Sequence, residues 1–261
     1  MAFTTNDSNA QVVEVRKLYT GIANLQIIAI NPNNDELKAI YGRPNREEPV
    51  YIGVSKANNP QIRIDVHAKV IGLKDTKVRF SFYVENFSTT SKTNKLRYIN
   101  KFGNTAWAES EAALAEIGYY KNVDSRVCLN GEEEFTKTFL RVAGNVATEG
   151  ECRVDDWKKI FAGDFSELKA IAKALGANSF KALLCVSTSE DGTKFYQNVY
   201  TKYFERSYIE SPAQFLATLS GERGECRGDY QNDFNFKEYI PTAAAAPKPD
   251  TEKSTKVNDN F

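Results

Sequence analysis

The side chains able to do chemistry are few and widely spaced. His67 is the only histidine in 261 residues, and Cys128, Cys152, Cys185 and Cys226 stand far apart. A structural zinc site draws on closely spaced cysteine pairs, often completed by histidine. No CxxC or CxxxC pair occurs, so no metal is expected. A Ser-His-Asp or Cys-His arrangement would have to use His67, which lies in a strand-like run and reads as a half-exposed strand residue. The acid clusters Glu132-Glu133-Glu134 and Asp155-Asp156 open helical patterns, where they complement the helix dipole. GxxxxGK[ST] is absent, and Arg223 and Arg227 of SGERGECRGD read as parts of a solvated turn. Neither enzyme chemistry nor a cofactor is expected. Reduced thiols fit a cytoplasmic setting.

What remains is a pattern of cations and rings. The chain is formally neutral, with 34 Lys+Arg against 34 Asp+Glu, but the charge is unevenly spread. Residues 61–101 carry nine cations against Asp65, Asp75 and Glu85, whereas residues 102–160 carry eleven acids against seven bases. In the basic segment Arg63, Lys69, Lys77 and Arg79 share one side of an alternating pattern with Tyr83. Lys95, Arg97, Tyr98, Lys101, Phe102 and Trp107 follow, and Lys194, Tyr196, Tyr200, Lys202, Tyr203 and Arg206 repeat the theme. Cations follow phosphates while rings stack on bases of any sequence, at roughly 1–3 kcal/mol per base. Such a face suits single-stranded nucleic acid; a plain solvated sheet face protected by lysines would read the same way.

These residues need strands to position them. LYTGIANLQIIAI (18–30) is rich in strand formers, and DELKAIYG reads as a short helix closed by Gly42. The proline-bearing stretch 43–61 reads as loop with an extended piece near Val50–Gly53. In IRIDVHAKVI and KVRFSFYVENF, strict period-two alternation flanks a five-residue turn, predicting a hairpin with one buried and one exposed face. KLRYINKF is expected as a third strand of the same meander, and Gly103–Trp107 as a turn. Helical spacing recurs in ESEAALAEIG, in EEEFTKTFLRVAG, over 155–161, and in SELKAIAKALG with Ser166 as N-cap. A second hairpin joins FKALLCVST to KFYQNVYTKYF; SPAQFLATLSG then reads as a helix and DYQNDFNFKEYI as a last strand.

The expected plan is α+β: a flexible arm at 1–14, a domain at 15–240 with a helical insertion near 108–176, and a disordered tail at 241–261. No run of apolar residues is long enough for a membrane span, and polar residues after Met1 argue against a signal peptide. The tail ends in Phe261 shortly after Asp259, an aromatic carboxylate terminus suited to a basic, hydrophobic pocket on a partner.

KLYTGIANLQIIAINP, the IRIDVHAKV…VRFSFYVEN hairpin, YINKFGNTAW and FYQNVYTKYFERSY together resemble the single-stranded DNA-binding proteins of tailed phages, of the crAss-like and Bacteroides-infecting kind. The likeness spans roughly residues 16–240. It implies an OB-fold-like antiparallel barrel with a helical insertion, sequence-independent single-stranded DNA binding in phage replication and recombination, and a tail that recruits replication proteins. Two departures stand out. The tail is neutral, with Lys248, Lys253 and Lys256 among its acids, and no zinc-binding segment is present. A structural virion protein, decorating a capsid or carried as cargo, is the alternative expectation for a neutral α+β chain with a tail.

Overall fold

The computed structural model describes residues 17–42, 47–116, 124–144, 153–189, 195–206 and 235–240, without the side chains at 115, 188, 202, 203, 205 and 206. The arm, the tail with Asp259 and Phe261, and the helix expected in 211–221 lie outside these residues. The described part is α+β, and its strand pairs are antiparallel.

The main sheet is built around β1 (Leu18–Ile30), β3 (Pro60–Val70), β4 (Lys77–Glu85), β8 (Ser179–Thr188) and β9 (Phe195–Arg206). Its order is β4-β3-β1-β8-β9. The short strand β2 (Ile52–Val54) lies beside the start of β3, and β10 (Lys237–Tyr239) lies beside the start of β1. Each half of β1 has its own partner: Gly21–Gln26 pairs with β8, and Leu25–Ile30 pairs with β3. The sheet curls into a half-barrel, so that Phe80 and Phe82 of β4 meet Phe204 of β9 at centroid distances of 5.3 and 6.1 Å.

The concave side is filled by rings. A π-wound segment, Glu134–Leu140, brings Phe135 and Phe139 onto one side, and Arg141–Ala143 continues it as α3. Phe139 is fully buried and lies 5.2 Å from Phe82, 5.4 Å from Phe80, 5.6 Å from Phe180 and 5.2 Å from Phe204. Burial of each such ring contributes about 1.5–3 kcal/mol, so this plug joins two edges of the sheet between which no hydrogen-bond ladder runs among the described residues. The helix α5 (Ser166–Leu175) packs on β1 through buried Leu168 and Ala172.

Several local expectations need correction. KLRYINKF does not extend the β3–β4 meander: β5 (Leu96–Asn100) lies centrally in a separate sheet ordered β6-β5-β7, with β6 (Thr105–Ala108) and β7 (Ser125–Val127). Alternation in a short strand does not specify its partner, and here the Ser/Thr/Asn loop carries the chain away from β4. Trp107 therefore lies in a strand rather than a turn. The insertion at 108–176 includes β7 besides α2 (Glu111–Glu116), α3, α4 (Trp157–Phe161) and α5. Ser166 is the first residue of α5 rather than its cap, and its amide donates to the carboxylate of Asp164 at 2.9 Å. Insertion and half-barrel meet at Gly131, whose φ of +82° and close approach to the Tyr83 carbonyl leave no room for a Cβ.

Candidate functional site

The β3–β4 hairpin pairs its polar residues across the strands: Arg63 opposite Tyr83, Asp65 opposite Ser81, His67 opposite Arg79, and Lys69 opposite Lys77. The predicted residues Arg63, Lys69, Lys77, Arg79 and Tyr83 thus share one face. That face is not open to solvent along its length. Asp65 and His67 are buried, because the chain after β1 crosses over them. Asn31 makes this crossing. With a φ of 46° it turns the chain off β1, while its side chain accepts from the Asp65 amide at 2.7 Å and donates to the Arg63 carbonyl at 3.1 Å. The helix α1 (Asn34–Tyr41) then starts at a capping box between Asn33 and Glu36, and Lys169 of α5 anchors Glu36 at 2.8 Å.

Between this crossing, the hairpin face and the start of β9 lies a cleft of about 990 Å³. This is at the upper end of the roughly 300–1,000 Å³ range of ligand pockets. Arg63, Asp65, His67 and Arg79 lie along the hairpin side. Leu37, Tyr41, Glu47, Glu48 and Tyr51 form one wall, and Phe195, Tyr196, Gln197 and Asn198 form the other. Tyr196 is half exposed.

The charges of the cleft are organised around Asp65. Its carboxylate accepts from the Ser81 hydroxyl at 2.6 Å and lies 3.0 Å from Arg63 Nε and 4.0 Å from Arg79 Nη1. The Arg63 guanidinium also stands 5.8 Å from the centre of the Tyr51 ring, and the Tyr51 hydroxyl donates to the Pro32 carbonyl at 2.7 Å. Burial, helped by the charge of Asp65, pushes the Tyr51 phenol well above its ordinary pKa, so it stays a donor. His67 Nδ1 shares a 2.7 Å hydrogen bond with the Tyr41 hydroxyl. Burial lowers its pKa to about 4, so the imidazole is neutral near pH 7. The half-exposed reading of His67 is thereby corrected. The Lys77 ammonium stands 5.9 Å from the Tyr41 ring, next to the cleft.

A second group of predicted residues lies elsewhere. Arg97 ion-pairs with Glu133 of the insertion and stands 5.3 Å from the Trp107 ring. Lys101 lies 5.3 Å from the Phe102 ring in the turn between β5 and β6, and Lys95 lies in the loop before β5. Tyr98, expected among the stacking rings, is instead 5 % exposed and packs with Ala108 and Leu114, so it offers no face to a base. None of these six residues lines the cleft. Lys202, Tyr203 and Arg206 lie on β9, with side chains outside the described ones.

Tyr41, Tyr51, Asp65, Gln197 and Asn198 also line the cleft, none of them among the site residues expected from the sequence. Asp65 did carry a signal, as an acid set between Arg63 and His67 on the polar side of a basic hairpin. Among the described residues no group of three or more His, Cys, Asp or Glu side chains is placed to hold a metal ion, and no helix is long and apolar enough to cross a membrane. Comparison of the chain with protein-family models, curated proteins and solved structures finds no match.

Proposed function

We propose that this protein binds single-stranded DNA without a defined sequence motif, in a cleft on an OB-fold barrel, and acts in phage DNA replication and recombination. The observation that carries the reading is the cleft, with two arginines flanking a buried carboxylate and the exposed Tyr196 ring on the facing wall. Arginine guanidiniums meet phosphate oxygens, and an exposed ring stacks on any base.

The connectivity supports the OB assignment. β1, β3 and β4 form a meander, helices follow, and β8 and β9 return on the other side of β1 with Phe204 facing the β4 rings. OB-folds bind oligonucleotides on the face of their second and third strands, between the first and fourth inter-strand loops. Here those strands are β3 and β4, and the cleft walls come from the segment after β1 and from the β9 end of the β8–β9 hairpin.

Fluorescence anisotropy with a short labelled strand of mixed sequence tests the proposal. The strand binds, the same sequence as duplex binds far more weakly, and Tyr196→Ala weakens strand binding roughly tenfold through the lost stack. If the single strand does not bind even at about 50 mM salt, the proposal fails and a structural virion role becomes the better account.

A further inference from the structure

The described lining of the cleft is not that of a simple phosphate track. Its cations are Arg63 and Arg79, and its acids are Asp65, Glu47 and Glu48. Asp65 is spent on Ser81 and the arginines, but Glu47 and Glu48 are exposed on the wall that precedes β2. One Glu48 oxygen accepts from the Asn34 amide at 3.3 Å, which holds this carboxylate against the start of α1. On the facing wall the Asn198 amide group donates to Ser187 Oγ at 2.5 Å and to the Tyr196 carbonyl at 3.4 Å. Its amide nitrogen is thus engaged within the chain. Among the described lining residues, the exposed charged acceptors are therefore Glu47 and Glu48, and the cations are Arg63 and Arg79.

We infer that the cleft takes the exposed bases of the strand as well as its backbone, and that it favours bases bearing an exocyclic amine. This rests on the single-strand reading proposed above. A carboxylate accepts well from the cytosine N4 amine, whose outer side faces only the C5 hydrogen. Uracil offers a carbonyl at that position. Its single ring donor, N3–H, is flanked by two carbonyl oxygens that repel a carboxylate. Acids placed where bases enter thus make an electrostatic distinction without a sequence motif.

The test compares deoxycytidine and deoxyuridine homopolymers of equal length, which lack the thymine methyl as a confounding contact, at one low salt concentration. The expected result is deoxycytidine binding at least about fivefold tighter, with the difference removed in the Glu47→Ala/Glu48→Ala double variant. A smaller ratio, or one favouring deoxyuridine, overturns the inference while leaving single-strand binding intact. A ratio that persists in the double variant overturns the assignment to these carboxylates. If neither homopolymer nor the mixed-sequence strand binds, the single-strand reading itself fails, and the inference with it. The wild-type comparison needs no variant to fold.

Discussion

Arg63 Nε stands 3.0 Å from Oδ1 of Asp65, a carboxylate whose side chain is only 3 % exposed. A buried acid beside two arginines fixes where their positive charge sits, at the expense of part of it. Asp65→Ala removes that anchor and the Ser81 hydrogen bond. The loss expected in chemical denaturation is about 1–3 kcal/mol. It stays below that of a fully buried pair because the Arg63 and Arg79 side chains, 37 % and 60 % exposed, can turn to water. Single-strand affinity also falls, although the cleft becomes more positive. A rise in affinity would show that charge, not placement, is what the arginines contribute.

Phe139 is the keystone of the half-barrel, in contact with rings from β4, β8 and β9 at once. Phe139→Ala leaves a cavity where the two edges of the sheet meet, and costs about 3–5 kcal/mol in an equilibrium unfolding measurement. A loss under about 1 kcal/mol would mean that the edges hold together without the plug.

Much of the scaffold was legible because the alternation of a half-buried strand is a local signal. β1 spans the residues expected of it, both hairpins formed, and the polar face of β3–β4 holds the expected cations. What was not legible depends on contacts distant in sequence. His67 and Asp65 alternate as outward residues should, yet the chain after β1, bonded to them through Asn31 and Tyr41, buries them. Nothing local to β3 shows that cover. In the same way Arg97 and Trp107 fit a cation–ring pattern as well as Arg63 and Tyr83 do. Their separation from the cleft follows from β5 pairing with β6 and β7, which its five residues do not encode.

The His67 imidazole gives stability a pH dependence. Its pKa falls from 6.5 to about 4 in the fold, chiefly through burial. Below 6.5 the unfolded chain takes up a proton that the folded chain refuses until about 4, so this contribution is intact above 6.5 and is lost as the pH falls between those values. The loss is on the order of 3 kcal/mol across the window. Denaturation midpoints of wild type and His67→Gln, followed from neutral to acid pH, check this. The wild type loses stability relative to the variant through that window, and parallel curves would contradict a buried neutral imidazole.

The salt dependence of binding tests the central claim most directly. Each phosphate neutralised on a single strand contributes a slope of about −0.7 to log K against log salt. If Arg63 and Arg79 each meet one phosphate, Arg63→Ala/Arg79→Ala makes the slope shallower by about 1.4 and weakens binding to strands of any sequence. A slope unchanged from wild type would mean that the strand binds elsewhere, and that the cleft over β3 and β4 is not the site.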